Sequence, residues 1–63
     1  MTVMQYMTQE RLERAKRLLE ETDFLIQDIS RSVGYLDENY FVKVFRKRFR
    51  LSPSEYRKYR RAD

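Results

Sequence analysis

The chain has 63 residues, with fourteen Lys and Arg against ten Asp and Glu, and it has neither cysteine nor histidine. A chain of this length is at most one small domain, and it has no disulfide or thiolate metal site to stabilise it. Without histidine it lacks the commonest zinc ligand and general base, so neither an enzyme nor a cofactor is expected. No apolar run approaches the roughly 20 residues of a membrane span, so we expect a cytoplasmic protein with no membrane partner.

The positive charge is concentrated in the second half of the chain. Residues 1–33 carry a net charge of −1, whereas residues 34–63 carry +5. Between Lys43 and Arg61 there are nine cations and a single acid, Glu55. This asymmetry favours a polyanionic partner, although a solvated charged face would have the same composition.

The first predicted helix spans residues 2–21. It begins at a capping-box motif, TVMQ at residues 2–5. On its outer face Glu13 and Arg17 have the spacing of an ion pair, and Arg11, which lies within the apolar face, is expected to pair with an acid from a later helix. Apolar residues three and four apart predict the buried face: Met4, Met7, Leu12, Ala15, Leu18 and Leu19.

A short second helix is predicted over residues 25–32, with Thr22 and Asp23 as its capping residues. Gly34, the only glycine in the chain, follows it directly. Glycine adopts a positive φ without steric penalty, so a tight turn is expected there, and Asp37 is the expected cap of the next helix. The buried residues of the second helix are expected to be Ile26, Ile29 and Val33.

The third predicted helix, residues 38–49, has two distinct sides. Its inner side carries apolar residues: Phe41, Val44, Phe45 and Phe49. Its outer side carries an amide and three cations: Asn39, Lys43, Arg46 and Arg50. Amides and cations are the side chains that read adenine and guanine in the major groove of DNA. An ordinary amphipathic helix with a solvated basic side would show the same pattern.

The last predicted helix spans residues 53–60. Ser52, Pro53 and Glu55 form a capping box with proline at the first helical position. Tyr56 is expected to face the core. Four cations are expected to contact phosphates or solvent: Arg57, Lys58, Arg60 and Arg61.

A short helix, a glycine turn and a basic helix in this order form a helix-turn-helix. The segments "RLERAKRLL", "DISRSVGYLDENYFVKVFRK" and "SPSEYR" resemble the C-terminal half of the DNA-binding region of AraC/XylS-type transcription regulators. The resemblance implies an all-α, homeodomain-like bundle of about four helices in one domain, residues 1–63. Its long first helix would connect to a preceding unit, so the chain is expected to be a fragment of a larger regulator. Residues 25–49 would form the helix-turn-helix.

The resemblance also implies a function and a site. The function is sequence-specific DNA binding in transcription regulation, in the bacterial cytoplasm at the nucleoid, with residues 38–49 in the major groove of double-stranded DNA. The implied base contacts are Glu38, Asn39, Val42 and Lys43. The implied phosphate contacts are Arg46, Lys47 and Arg57. The alternative is a basic protein-interaction module that contacts the transcription machinery, with RNA polymerase as the partner.

Three features depart from the family pattern or follow from the expected truncation. Leu25 stands where the family usually has a small polar cap. Arg50 stands where glycine is common, and since a left-handed Arg50 would cost roughly 1 kcal/mol, the third helix is expected to run on past residue 49. The exposed residues expected to support self-association are Val3, Tyr6 and Met7.

Overall fold

The computed structural model describes residues 2–61. These residues form four helices and no strand: α1 (Val3–Glu21), α2 (Ile26–Ser32), α3 (Glu38–Phe49) and α4 (Pro53–Arg61). The prediction of an all-α fold with a long first helix is therefore confirmed. None of the helices within residues 2–61 has the length and apolar character needed to cross a membrane.

The core lies where α3 packs against α1 and α2. The rings of Phe41 and Phe45 are fully buried at its centre, with their centroids 5.8 Å apart. Tyr56 of α4 meets Phe45 edge-on at 5.8 Å, a favourable geometry for aromatic pairs. The first turns of α1 contribute less than expected, because Met4 and Met7 are exposed. The buried core residues are Leu12, Ala15, Leu19, Ile29, Val33, Tyr35, Phe41 and Phe45.

Both ends of α1 are closed by threonine. Thr2 and Gln5 form the predicted capping box, with bonds of 3.0 and 3.1 Å. At the other end the Thr22 hydroxyl donates to the Leu18 carbonyl oxygen at 2.6 Å. The prediction that Thr22 and Asp23 cap α2 is wrong, because a cap must immediately precede its helix. That position belongs to Leu25, which makes no side-chain capping bond.

The turn between α2 and α3 is held by a pair of reciprocal hydrogen bonds. The buried Ser30 hydroxyl donates to the Tyr35 carbonyl oxygen at 2.7 Å, and the Tyr35 amide donates to the Ser30 carbonyl oxygen at 2.8 Å. Gly34 has a φ of 101°, so the predicted positive φ is confirmed. Asp37 also caps α3 as predicted, since its Oδ1 accepts from the amides of Asn39 and Tyr40.

The turn between α3 and α4 has a left-handed residue at Arg50, whose φ is 69°. The prediction that α3 runs on past residue 49 is therefore wrong. The chain must reverse within three residues, because Ser52 already caps α4 with Glu55. A left-handed residue just past the end of a helix produces that reversal.

Arg11 contacts the helix-turn-helix through an aromatic ring. Its guanidinium carbon lies 5.7 Å from the centroid of the Tyr35 ring, and a methyl group on Gly34 would come within 3.3 Å of its Nε. The ion pairs among residues 2–61 do not include Arg11, so the expected pair with a later acid is wrong. The negative face of the ring attracts the cation in place of a carboxylate.

Glu13 pairs with Lys16 at 3.7 Å instead of with Arg17. Lys16 is held there because its ammonium also lies 4.9 Å from the centroid of the Phe49 ring. The contact between Lys16 and Phe49 of α3 thus favours Lys16 over Arg17 as the partner of Glu13.

Candidate nucleic-acid interface

The outer side of α3 is open to solvent. We call its exposed polar residues the α3 outer face: Glu38, Asn39, Lys43, Arg46 and Lys47. Asn39, Lys43 and Arg46 lie opposite Phe41 and Phe45, because these rings occupy the core side of the same helix. Glu38 precedes Phe41 by three residues and Phe45 by seven, so it lies on the stripe of these rings and is exposed in the first turn of α3. The hydrophobic period of the sequence thus predicted which side of α3 would be exposed. Val42, the remaining expected base-contact residue, is only partly exposed because it packs against the core.

The polar side chains of this face are not used by the fold. Within residues 2–61, the side chains of Asn39, Lys43 and Arg46 donate no hydrogen bond to the protein. The only capping bond at Asn39 comes from its backbone amide. An amide and two cations are therefore free to bind a partner.

Positive charge increases toward the C-terminal end of α3. Arg46, Lys47 and Arg48 occupy its last turn, where the helix dipole favours cations. Glu55, an acid at the start of α4, is already engaged in the Ser52 cap. Its hydrogen bonds with Ser52 lower the pKa of Glu55, and the charge of Arg46 adds a smaller effect. The cap thus favours the ionised form of Glu55, and the three cations of the last turn outnumber this one acid.

Glu38 is the one acid on the α3 outer face. It occupies the first turn of α3, where a carboxylate is stabilised by the positive end of the helix dipole. Stabilisation by the helix dipole is sufficient to explain an acid at residue 38.

The guanidinium of Arg57 is engaged by the fold. It donates three hydrogen bonds to backbone carbonyls at the end of α1 and in the following turn, at 3.2 Å to Leu19, 3.1 Å to Thr22 and 2.7 Å to Phe24. Arg57 thus differs from Arg46, whose side chain donates no hydrogen bond within residues 2–61. Its partners lie 33 to 38 residues earlier in the chain, so no local pattern could have identified them.

The last two cations of α4 are also paired with the end of α1. Arg61 binds the Asp23 carboxylate and the Thr22 carbonyl oxygen, and this hydrogen bond and charge lower the pKa of Asp23. Arg60 lies 3.7 Å from Glu20. The expectation that these cations contact only solvent or phosphate is wrong.

Residues 2–61 contain no cluster of carboxylates that could hold a metal ion.

The most exposed large apolar side chain within residues 2–61 is Leu36, which is 89% exposed in the turn directly before α3. Leu36 was not among the residues expected to contact DNA. The sequence signal that could have identified Leu36 is its position one residue before the Asp37 cap.

Comparison with known proteins identifies the family. A profile described as a helix-turn-helix domain matches residues 1–59. The chain belongs to the AraC/XylS-type helix-turn-helix family. It is therefore a DNA-binding module of transcription regulation, and the family is a class of regulators, not a class of enzymes.

Relatives with curated names are much longer than this chain. It is 51% identical over 53 residues to the lactose operon transcription activator of Staphylococcus xylosus, covering 84% of this chain and 19% of that protein. It is 46% identical over 57 residues to the transcriptional activator RhaR of Mannheimia succiniciproducens, covering 90% and 21%. It is 41% identical over 56 residues to the xylose operon regulatory protein of Haemophilus influenzae, covering 89% and 14%.

A solved structure has the same fold. The crystal structure of the C-terminal domain of the two-component response regulator yesN from Fusobacterium nucleatum aligns with a TM-score of 0.89 and 37% identity. The alignment covers 90% of this chain and 55% of that one. The arrangement of four helices is thus shared with a helical domain of a response regulator.

Proposed function

We propose that the chain binds double-stranded DNA sequence-specifically by placing the first turns of α3 in the major groove. The observation that supports this most directly is the α3 outer face, whose amide and cations are exposed and make no hydrogen bond within residues 2–61. A protein that used these groups for its own stability would bury or pair them. We further propose that the chain is part of a larger bacterial regulator acting in the cytoplasm at the nucleoid.

Each residue of the α3 outer face has a proposed role. We propose that Asn39 forms two hydrogen bonds with an adenine edge and that Lys43 donates to guanine. Glu38 accepts from a cytosine amine. Val42 offers a partly exposed apolar edge at the border of the face.

Arg46 and Lys47 are the proposed phosphate contacts. They lie one to two turns further along α3, where the helix leaves the base edges and approaches the backbone of the duplex. We propose that Arg57 supports this arrangement indirectly by fixing α4 against α1, since three of its donor bonds already go to carbonyls.

The proposal is tested by selecting duplexes from a randomised library with the wild-type chain and measuring affinity for one selected and one scrambled duplex. Asn39→Ala is expected to weaken binding of the selected duplex by about 1–3 kcal/mol and to leave the scrambled one unchanged. Arg46→Ala is expected to weaken both and to reduce the slope of affinity against salt by about 1.

Arg17→Ala provides the matched control, because Arg17 is an exposed cation on the side of α1 away from the core. It should leave both affinities unchanged. If neither Asn39→Ala nor Arg46→Ala alters DNA affinity, the α3 outer face is better explained as a docking site for an acidic protein. RNA polymerase is then the candidate partner, and direct binding of the chain to purified polymerase would support that alternative.

We also propose weak self-association through the exposed apolar residues at the start of α1: Val3, Tyr6 and Met7. Apolar patches of this kind favour association. Sedimentation velocity should show dimer at high concentration for the wild type and less for Met7→Glu, whereas monomer at every concentration would exclude the proposal.

A further inference from the structure

Leu36 is the most exposed large apolar residue within residues 2–61, at 89%. A single exposed leucine is common on protein surfaces and indicates nothing by itself. Two features distinguish Leu36 from an ordinary loop residue. Its side chain does not occupy the packing site that its position offers, and hydrogen bonds hold its backbone on both sides.

The first feature concerns the hydrophobic staple of α3. The residue before the N-cap normally packs against the fourth residue of the helix, and here these are Leu36 and Phe41. Phe41 is fully buried, yet Leu36 is almost fully exposed. Tyr35 has taken the place of Leu36, since its ring centroid lies 5.6 Å from that of Phe41. The Leu36 side chain therefore has no role in the core.

The second feature is the rigidity of the backbone around Leu36. On one side, Tyr35 exchanges two hydrogen bonds with the buried Ser30. On the other side, Asp37 accepts bonds from two amides of α3. Leu36 thus presents an exposed side chain from a turn with little conformational freedom, which lowers the entropic cost of using it in binding.

Leu36 also lies beside the N-terminal end of the α3 outer face. Only the cap residue Asp37, whose backbone is extended, separates Leu36 from the first residue of α3, and Leu36 precedes Asn39 by three residues. Side chains in the first turn of a helix lean toward its N-terminus, which brings Asn39 over the turn that holds Leu36. A duplex that meets Asn39 would therefore also meet Leu36.

The chemistry of leucine restricts what it can contact. Leucine has no donor for a phosphate oxygen and no acceptor for a base amine. The apolar group that base pairs present in the major groove is the 5-methyl of thymine. We infer that Leu36 determines specificity by packing against the 5-methyl group of a thymine next to the base pairs read by α3. This inference rests on the proposed function.

The test removes one methyl group at a time. In a duplex selected from a random library by the wild-type chain, each thymine is replaced in turn by deoxyuridine, and affinity is measured by fluorescence anisotropy. One replacement is expected to weaken wild-type binding about fourfold, which corresponds to burial of one methyl-sized group at about 0.8 kcal/mol. The same replacement should not affect Leu36→Ala.

Leu25→Ala serves as the matched control, because Leu25 is also an exposed leucine preceding a helix, at 62%. It should retain the wild-type sensitivity to deoxyuridine. Thermal unfolding of Leu36→Ala should match the wild type, since the side chain is outside the core.

Each remaining outcome overturns the inference. Equal sensitivity of the wild type and Leu36→Ala to every replacement would show that another residue contacts the methyl groups. If no deoxyuridine replacement weakens binding of the wild type, no thymine methyl group contributes to the affinity. In both cases an effect of Asn39→Ala on the same duplex would leave the proposed function standing. If selection enriches no sequence, the proposed function fails, and the inference about Leu36 fails with it.

Discussion

The guanidinium of Arg57 in α4 binds the carbonyl oxygen of Leu19 in the last turn of α1, at 3.2 Å. The same group binds the carbonyl oxygens of Thr22 and Phe24 just beyond that helix. The last carbonyls of a helix have no partner within it, and a cation is favourable at that end. Arg57 therefore caps α1 from a distant part of the chain and joins the first helix to the last.

Arg57→Ala is expected to lower the free energy of unfolding by about 2–3 kcal/mol, because it leaves partly buried carbonyls without a charged donor. Urea denaturation measures the change. Lys58→Ala, which removes an exposed neighbouring cation, should stay within about 0.5 kcal/mol of the wild type. Equal stability of the two variants would refute the capping role of Arg57.

Gly34→Ala is expected to destabilise the fold by about 1–3 kcal/mol, because alanine is strained at a φ of 101°. The added methyl would also lie 3.3 Å from Nε of Arg11, a contact that a flexible side chain can relieve. Most of the loss should therefore persist when Gly34→Ala is combined with Arg11→Ala. Complete recovery in the double variant would mean that the contact, and not the backbone, is the cause.

Arg50→Gly is expected to raise the free energy of unfolding by about 0.5–1 kcal/mol. Glycine avoids the steric cost of the left-handed conformation at φ 69°, although its greater freedom in the unfolded chain offsets part of the gain. Arg50→Ala removes the same charge but keeps the steric cost, so it separates the two effects. Thermal unfolding should rank the glycine variant above the alanine variant, and the reverse order would argue against strain at residue 50.

Tyr56 should make stability depend on alkaline pH. Burial, reinforced by a hydrogen bond to the Glu20 carboxylate, raises the pKa of Tyr56 to about 12 from its ordinary value of 10.0. Because folding raises the pKa of Tyr56, the stabilisation that its protonated hydroxyl contributes is complete below pH 10. That stabilisation is lost as pH rises through about 12.

The corresponding measurement compares the wild type with Tyr56→Phe by urea denaturation between about pH 9 and 11. The advantage of the wild type should shrink as pH increases over this range. A constant offset between the wild type and Tyr56→Phe over this range would contradict the raised pKa.

The sequence by itself determined the features that depend on neighbouring residues. The capping boxes at Thr2 and Ser52, the cap at Asp37 and the positive φ of Gly34 were all predicted, because each involves atoms within a few residues of one another. The exposure of the α3 outer face was predicted for a related reason. The helical period of Phe41, Val44, Phe45 and Phe49 decides which side of the helix enters the core. That DNA occupies the face stays a prediction.

Only the tertiary structure decided the partners of the long cationic side chains. Arg57 was expected at a phosphate, Arg61 in solvent and Arg11 beside an acid, yet they bind carbonyls of the α1 terminus, Asp23 and the Tyr35 ring. The conformation of Arg50 and the exposure of Leu36 were likewise decided by how α3 and its turns pack. Each of these depends on the relative position of two helices. A side chain with several rotatable bonds can reach many partners, and sequence spacing does not specify which one the packed helices bring within reach.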